Sequence, residues 1–313
     1  MRAMKLYVGG LFLVALVGCD QPGPIEVVHE TAREPYHVTY LLGKPNDSLV
    51  VTYDAETNYE LTGILKTEEE VYPATMVVNG VESDITGSHQ STSLSRVVLR
   101  DVSSPESVSG NFGQFIKYQH LNIGSVRLNG TELDREEVIL QVRSRTTLII
   151  PNGVLYKLVN DDQSQNKPFV FHPNIDYAIA AEGKAQISGF IERIDSPDAI
   201  ELIHPKPYSL VFGDEDLTLR WSGRSGSVVH AVVSFYDEAN QRVGRPIMEL
   251  RATARTNAML VPAKLLNLIP RTSSGKYVIT LISANREETT VPGYSGTVLV
   301  QSASIHNAAV TIK

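Results

Sequence analysis

Leu217-Thr218-Leu219-Arg220-Trp221 decides the fold class. Apolar and polar residues alternate without a break, so a strand places Leu217, Leu219 and Trp221 on one face and Thr218 and Arg220 on the other. Outward from it, Val228 to Tyr236 reads as a second strand turned by Asp237-Glu238-Ala239-Asn240, followed by Ile247 to Arg251 and Ala258 to Val261. Pro262 to Ile269 is the one plausible helical turn; Tyr277 to Ala284, Thr297 to Ser304 and a last edge, Val310 to Ile312, complete the run. Upstream, Ser196-Pro197-Asp198 and Pro205-Lys206-Pro207 bracket a short strand, Ile200 to Ile203, and mark a domain boundary. Some seven short strands in about a hundred residues is the count of a β-sandwich.

The segment Leu217-x-Leu219-x-Trp221 resembles the second strand of fibronectin type III modules. Leu268-Ile269-Pro270, followed by Gly275-Lys276-Tyr277-Val278-Ile279-Thr280-Leu281, resembles their Leu-x-Pro corner leading into a Tyr-containing strand. The resemblance covers residues 200 to 313 and implies that Trp221 and Tyr277 build core and corner, beside Leu217 and Leu219. Arg271 to Ser274 lengthen the corner, which leaves a related immunoglobulin-like sandwich open. Neither fold names a function.

The region from Tyr36 to Ser196 is also β-rich, with strands expected at Val38 to Leu42, Ser48 to Tyr53, Ser95 to Arg100, Phe115 to His120, Val138 to Val142, Ala178 to Ala181 and Ala185 to Ile191. Three Asn-Gly pairs, Asn79-Gly80, Asn129-Gly130 and Asn152-Gly153, predict hairpin turns, because a type I′ turn needs positive φ at both central residues. Ser103 to Gly113 and Asn160 to Pro168 read as solvated loops. The expected organisation is all-β: a signal peptide (1–18), a lipidated Cys and linker (19–35), a β-rich domain (36–196) and an immunoglobulin-like or fibronectin III-like sandwich (197–313).

The signal peptide rests on Arg2 and Lys5 preceding an uncharged apolar run, Leu6 to Val17. That run is shorter than the roughly 20 residues a spanning helix needs. Its end, Leu16-Val17-Gly18-Cys19, resembles the lipobox of bacterial lipoproteins. The resemblance implies cleavage between Gly18 and Cys19, diacylation of the Cys19 thiol and attachment to a membrane through lipid. Asp20 resembles the inner-membrane retention signal of enterobacterial lipoproteins. Asp20 to Pro35, carrying three Pro, is expected to act as a linker of up to about 50 Å at about 3.3 Å per residue. Cys19 is the only Cys among 313 residues, so no intrachain disulfide forms.

The 28 basic and 35 acidic residues give a net charge of −7. Cleavage after Gly18 removes two of those basic residues and no acid, leaving −9. An acidic chain without clustered Lys and Arg argues against nucleic acid as a partner.

Candidate chemistry is sparse. Gly293-Tyr294-Ser295-Gly296 lacks the spacing of a nucleophile elbow. Ser274-Gly275-Lys276-Tyr277 has Pro270 where a phosphate loop needs its first Gly. The eight His form no i, i+4 pair, and neither Asp161-Asp162 nor Asp214-Glu215-Asp216 has Ca²⁺-loop spacing. No catalytic residue, metal or cofactor is therefore expected. Tyr294, in a Gly-rich loop, is the one ligand-binding candidate, as an aromatic platform for a glycan. The expected function is that of a lipid-anchored envelope protein, facing periplasm or exterior, with a non-catalytic role in adhesion, ligand capture or scaffolding toward a protein or glycan. The alternative is an extracytoplasmic hydrolase or glycan-binding protein with an accessory sandwich.

Overall fold

Val298–Ile312 forms one strand of 15 residues, buried along nearly its whole length on both faces. The computed structural model that shows this describes residues 25–26, 36–40, 50–52, 59–64, 71–110, 113–143, 147–161, 169–223, 228–239, 241–252, 257–272 and 274–313.

In chain order the strands begin with β1 (Ile25–Glu26), β2 (Tyr36–Tyr40) and β3 (Val50–Thr52), then a helical turn α1 (Tyr59–Thr62). The N-terminal half continues with β4 (Ala74–Asp84), β5 (His89–Leu99), β6 (Glu106–Gly110), β7 (Gly113–Lys117), β8 (Val126–Leu128), β9 (Thr131–Glu132), β10 (Asp134–Arg143), β11 (Thr147–Asp161), β12 (Asp176–Lys184) and β13 (Ile187–Asp195). Then follow β14 (Glu201–His204), β15 (Leu210–Val211), β16 (Leu217–Ser222), β17 (Val228–Asp237), β18 (Arg242–Ala252), β19 (Ala258–Val261), α2 (Ala263–Leu266), β20 (Lys276–Thr289) and β21 (Val298–Ile312).

One 12-stranded sheet runs β1-β2-β18-β17-β20-β21-β4-β5-β11-β10-β3, with β15 also on β21. The edge of β21 opposite β20 is divided: Val298 to Ala308 pair in parallel with Ala74 to Asp84 of β4, and Thr311 and Ile312 pair with β15. Two smaller sheets pack on the same face of this large one. The sheet β14-β16-β19 covers β17, β20 and the end of β21 and completes an immunoglobulin-like sandwich. The sheet β13-β12-β8-β9 covers β4, β5, β11 and the start of β21. The first core lies wholly within residues 200–312; the second combines residues 74–194 with Val291, Val298 and Val300. The two cores are distinct but do not divide at residues 196/197: the second takes in Val291, Val298 and Val300, β2 pairs with β18, and one sheet runs through both.

Side-chain alternation explains β21. Its even positions enter one core at Val298 and Val300 and the other at Ala308, Val310 and Ile312. Its odd positions Leu299, Ala303 and Ile305 pack on the opposite face. A strand buried on both faces shows no apolar–polar alternation. The buried Gln301, Ser302, Ser304, His306 and Asn307 made it read as two strands ending on an edge; it is a single central strand.

Several turns differ from expectation. Asn129-Gly130 makes the expected hairpin turn, with φ of 46° and 89°. Asn79-Gly80 instead lies inside β4, because a buried partner uses each residue: Asn79 Nδ2 bonds backbone carbonyls, and the Phe171 ring occupies the space where a Cβ at Gly80 would lie. Asn152-Gly153 lies inside β11, where two residues oppose Val138 as a bulge and Gly153 (φ 87°) passes against the His120 carbonyl. The expected loop at Ser103 to Gly113 contains β6 and the start of its partner β7. Residues 160 and 161 end β11, while 162–168 lie outside the described residues. Ile25 and Glu26, expected as linker, pair with Tyr40 and Thr39, because their backbone groups extend the sheet edge.

Candidate functional site

The joint between the sandwiches carries most of the unusual buried polar chemistry. On the sheet face away from both cores, α1 and Gly63 lie across β4, β20 and β21, and the carbonyls of residues 60–63 are each caught by a side chain. Asn307 Nδ2 donates to Glu60 O at 3.1 Å, and Asn79 Nδ2 to Leu61 O and Thr62 O at 3.0 and 2.8 Å. Gln301 Nε2 donates to Thr62 O at 2.8 Å, and Arg286 Nη2 to Gly63 O at 2.9 Å. A helix end leaves its last carbonyls without intrahelical donors, so side chains from three strands supply them. Tyr59 reaches Ser234 with its hydroxyl. Burial raises the Glu60 carboxyl to about 7, against the opposing pull of its own backbone N–H.

On the core-side face, in the gap between the two cores, β21 presents Ser304 and His306. Ser304 Oγ accepts the Ile200 N–H at 2.9 Å and His306 Nδ1 the Leu202 N–H at 3.1 Å, which ties β14 and its approach to the large sheet. With Nδ1 accepting, Nε2 carries the proton and donates to Asp84 Oδ2 at 3.0 Å. Asp84 Oδ1 also meets His89 Nδ1 at 3.2 Å, and His89 Nε2 meets Glu82 at 2.9 Å. Desolvation lowers the His89 pKa, but hydrogen bonding to Asp84 and the charges of Glu82 and Asp84 outweigh it and raise the net value. This Ser-His-Asp grouping is not a nucleophile with its base: His306 is buried and spends both ring nitrogens inside the fold.

Of the residues singled out in the sequence, Leu217, Leu219, Trp221 and Tyr277 all lie in the C-terminal core, Trp221 at 2% exposure. Tyr277 donates its hydroxyl to Pro270 O at 2.6 Å and accepts the Thr272 N–H at 3.2 Å, closing the corner before its own strand. Tyr294 is not an exposed platform. Its ring packs on the N-terminal core, its hydroxyl donates to Arg100 O at 2.9 Å, and burial pushes its pKa up to about 12. Gly18 and Cys19 lie outside the described residues. Sequence reading missed the α1 network and the β21 polar residues; the one signal was polar residues interrupting an apolar strand.

Among the described residues, no group of three His, Cys, Asp or Glu side chains is arranged to hold a metal, and no helix is long and apolar enough to cross a membrane. A cavity of about 400 Å³ lies at one end of the C-terminal sandwich, lined by His204, Lys206, Phe212, Glu215 and Asp216 among others. Leu210 and Phe212 at its rim are 43% and 49% exposed. Asp216 is already engaged, accepting the Ala263 N–H at 2.7 Å.

No protein-family model matches the chain, and no curated protein matches it. Among solved structures, a chimeric titin Z1Z2-Z1Z2 tandem, functionalised with a GRGDS peptide from fibronectin, is 14% identical, over 78% of this chain and 97% of that one. Its TM-score is 0.16, so the fold assignment rests on the strand order above and not on this likeness.

Proposed function

We propose that the protein is a bacterial envelope lipoprotein, held by lipid on Cys19, whose joined sandwiches serve as a non-catalytic binding or structural body. The observation that carries this reading is the parallel pairing of β21 with β4 over 11 residues, which makes two sandwiches one stiff piece. Stiffness of that kind suits presentation of a surface or a fixed spacing from the membrane. The lipobox at Leu16 to Cys19 supplies the attachment, and two acyl chains anchor stably where one binds only marginally.

The test is intact-mass analysis of the mature protein together with fractionation of a Cys19→Ser variant. The reading expects a mature chain starting at acylated Cys19, and a variant that is no longer acylated at that position or processed before it. An unmodified Cys19 in the mature wild-type chain overturns the reading. Protease treatment of intact against lysed cells then assigns the body to the exterior, if digested in intact cells, or to the periplasm, if protected until lysis.

A further inference from the structure

The cavity at one end of the C-terminal sandwich has walls fixed by backbone hydrogen bonds and polar side chains that the fold leaves unused. Its lining comes from residues 204–206, 209–212 and 215–217, the path of the chain from β14 through β15 into β16. At about 400 Å³ it lies within the size range of small-molecule sites.

The first wall is built on a turn. Ser209 N donates to Lys206 O at 3.1 Å across Pro207 and Tyr208, and Tyr208 has a φ of 63°. This is a type II turn, whose third residue is ordinarily Gly or Asn because a bulky side chain is strained at positive φ. Tyr208 is held there from outside the cavity: its N–H donates to Ala309 O at 2.6 Å, and its hydroxyl accepts the Gly87 N–H at 2.8 Å. Beyond the turn, Ser209 O accepts from Thr311 N and Val211 O from Lys313 N, while Gly213 N donates to Lys313 O. On the second wall, Asp216 Oδ1 accepts the Ala263 N–H at the start of α2. The lining is thus tied to β21, to α2 and to the β4–β5 turn, so its side chains project from fixed positions.

Those side chains carry opposite charges that do not meet. His204 and Lys206 belong to the first wall, Glu215 and Asp216 to the second. Among the described residues no ion pair joins the two walls, and the side chains of His204, Lys206 and Glu215 make no hydrogen bond. Ser209 Oγ, also in the lining, is buried without a hydrogen-bond partner. An unpaired buried hydroxyl costs stability, and one that faces a cavity is satisfied by a polar atom placed inside it. Leu210 and Phe212 add exposed apolar surface at the rim.

A neutral occupant leaves both charged walls unpaired, and an occupant of one sign leaves one of them so. A zwitterion satisfies both. We infer that the cavity binds a free di- or tripeptide with an apolar side chain. Its carboxylate faces Lys206, His204 and Ser209 Oγ, its ammonium faces Glu215 and Asp216, and its side chain lies against Leu210 and Phe212. Such binding deepens the role proposed above and requires no lipid on Cys19.

The probe is the dipeptide Leu-Phe, titrated calorimetrically into the full mature chain beside its N-acetyl and C-terminal amide derivatives. Saturable one-to-one binding of Leu-Phe is expected, weakened roughly three- to tenfold by either blocking group and by Lys206→Met or Glu215→Gln. Asp214→Asn removes the same charge as Glu215→Gln from outside the lining and is expected to bind as the wild type does. Unchanged thermal unfolding identifies the variants that are folded as the wild type is. No saturable binding up to about 10 mM, equal binding of the blocked peptides, or equal losses in Asp214→Asn and Glu215→Gln overturns the site. Those results leave the lipidation of Cys19 standing, since intact mass tests it without peptide. Recovery of free Leu and Phe from the titration keeps the site and overturns the non-catalytic reading.

Discussion

Gln301, in the middle of β21, donates its Nε2 proton to the carbonyl oxygen of Thr62, 239 residues earlier in the chain, at 2.8 Å. Its Oε1 accepts from Arg286 Nε at 2.7 Å, so one buried amide links α1, β20 and β21. Gln301→Met keeps the volume and removes both bonds. Thr62 O keeps its Asn79 donor, but loss of a buried hydrogen bond costs about 0.5–1.5 kcal/mol, and more where the donor is charged as in Arg286, so a lowered urea midpoint with an unchanged slope is expected. An unchanged midpoint means that the amide is not holding α1 to the sheet.

Gly80 distinguishes a crowded glycine from a merely left-handed one. A Cβ there comes within 2.3 Å of the Phe171 ring, whereas one at Gly130 meets nothing within 4 Å. Gly80→Ala is expected to cost about 1–3 kcal/mol through overpacking. Gly130→Ala, limited by its φ of 89°, is expected to cost about 1–2 kcal/mol. Thermal unfolding of both variants is the check, and relief of the Gly80→Ala penalty by Phe171→Leu confirms its source.

The pH dependence of stability is expected to carry the mark of Glu60. Its folded pKa, about 7, lies above the ordinary 4.5, so proton binding favours the fold. That contribution is full below about 4.5 and is lost as pH rises through about 7. Glu60→Gln removes the dependence and is expected to stabilise the protein at pH 8 by roughly 1–3 kcal/mol. Denaturant titrations of both proteins at pH 5 and pH 8 measure it, and parallel curves contradict the assignment.

Tyr294→Phe separates a structural tie from a ligand platform. The ring stays in the core while the bond to the Arg100 carbonyl is lost, so a decrease of about 0.5–1.5 kcal/mol in unfolding free energy is expected. Wild-type stability in this variant would mean that the hydroxyl bond contributes nothing to the fold.

Where local pattern and burial agree, the sequence is legible. Leu217, Leu219 and Trp221 alternate because only one face of β16 meets the core, and Tyr277 follows a Pro corner that its own hydroxyl closes. Asn129-Gly130 forms its turn because nothing crowds it. Long-range contacts override the other signals. Asn79 and Gly80 are committed to α1 and to Phe171, and His306 and Asn307 are buried on a strand between β20 and β4, contacts that span 17 residues or more of chain. The polar joint is therefore invisible to any reading of local periodicity. The edge strand β1 was hidden for the same reason, since Ile25 and Glu26, two residues of apparent linker, add to β2, which itself pairs with β18 more than 200 residues later in the chain.

The joining of both sandwiches through β21 is tested most directly by equilibrium unfolding followed with two signals. Trp221 is the single Trp and reports the C-terminal core alone, while far-ultraviolet circular dichroism reports the strands of both halves. Coincident transitions with one midpoint are expected if the shared sheet makes the halves a single cooperative unit. A circular dichroism curve with two steps, only one of them matching the Trp221 transition, would contradict it.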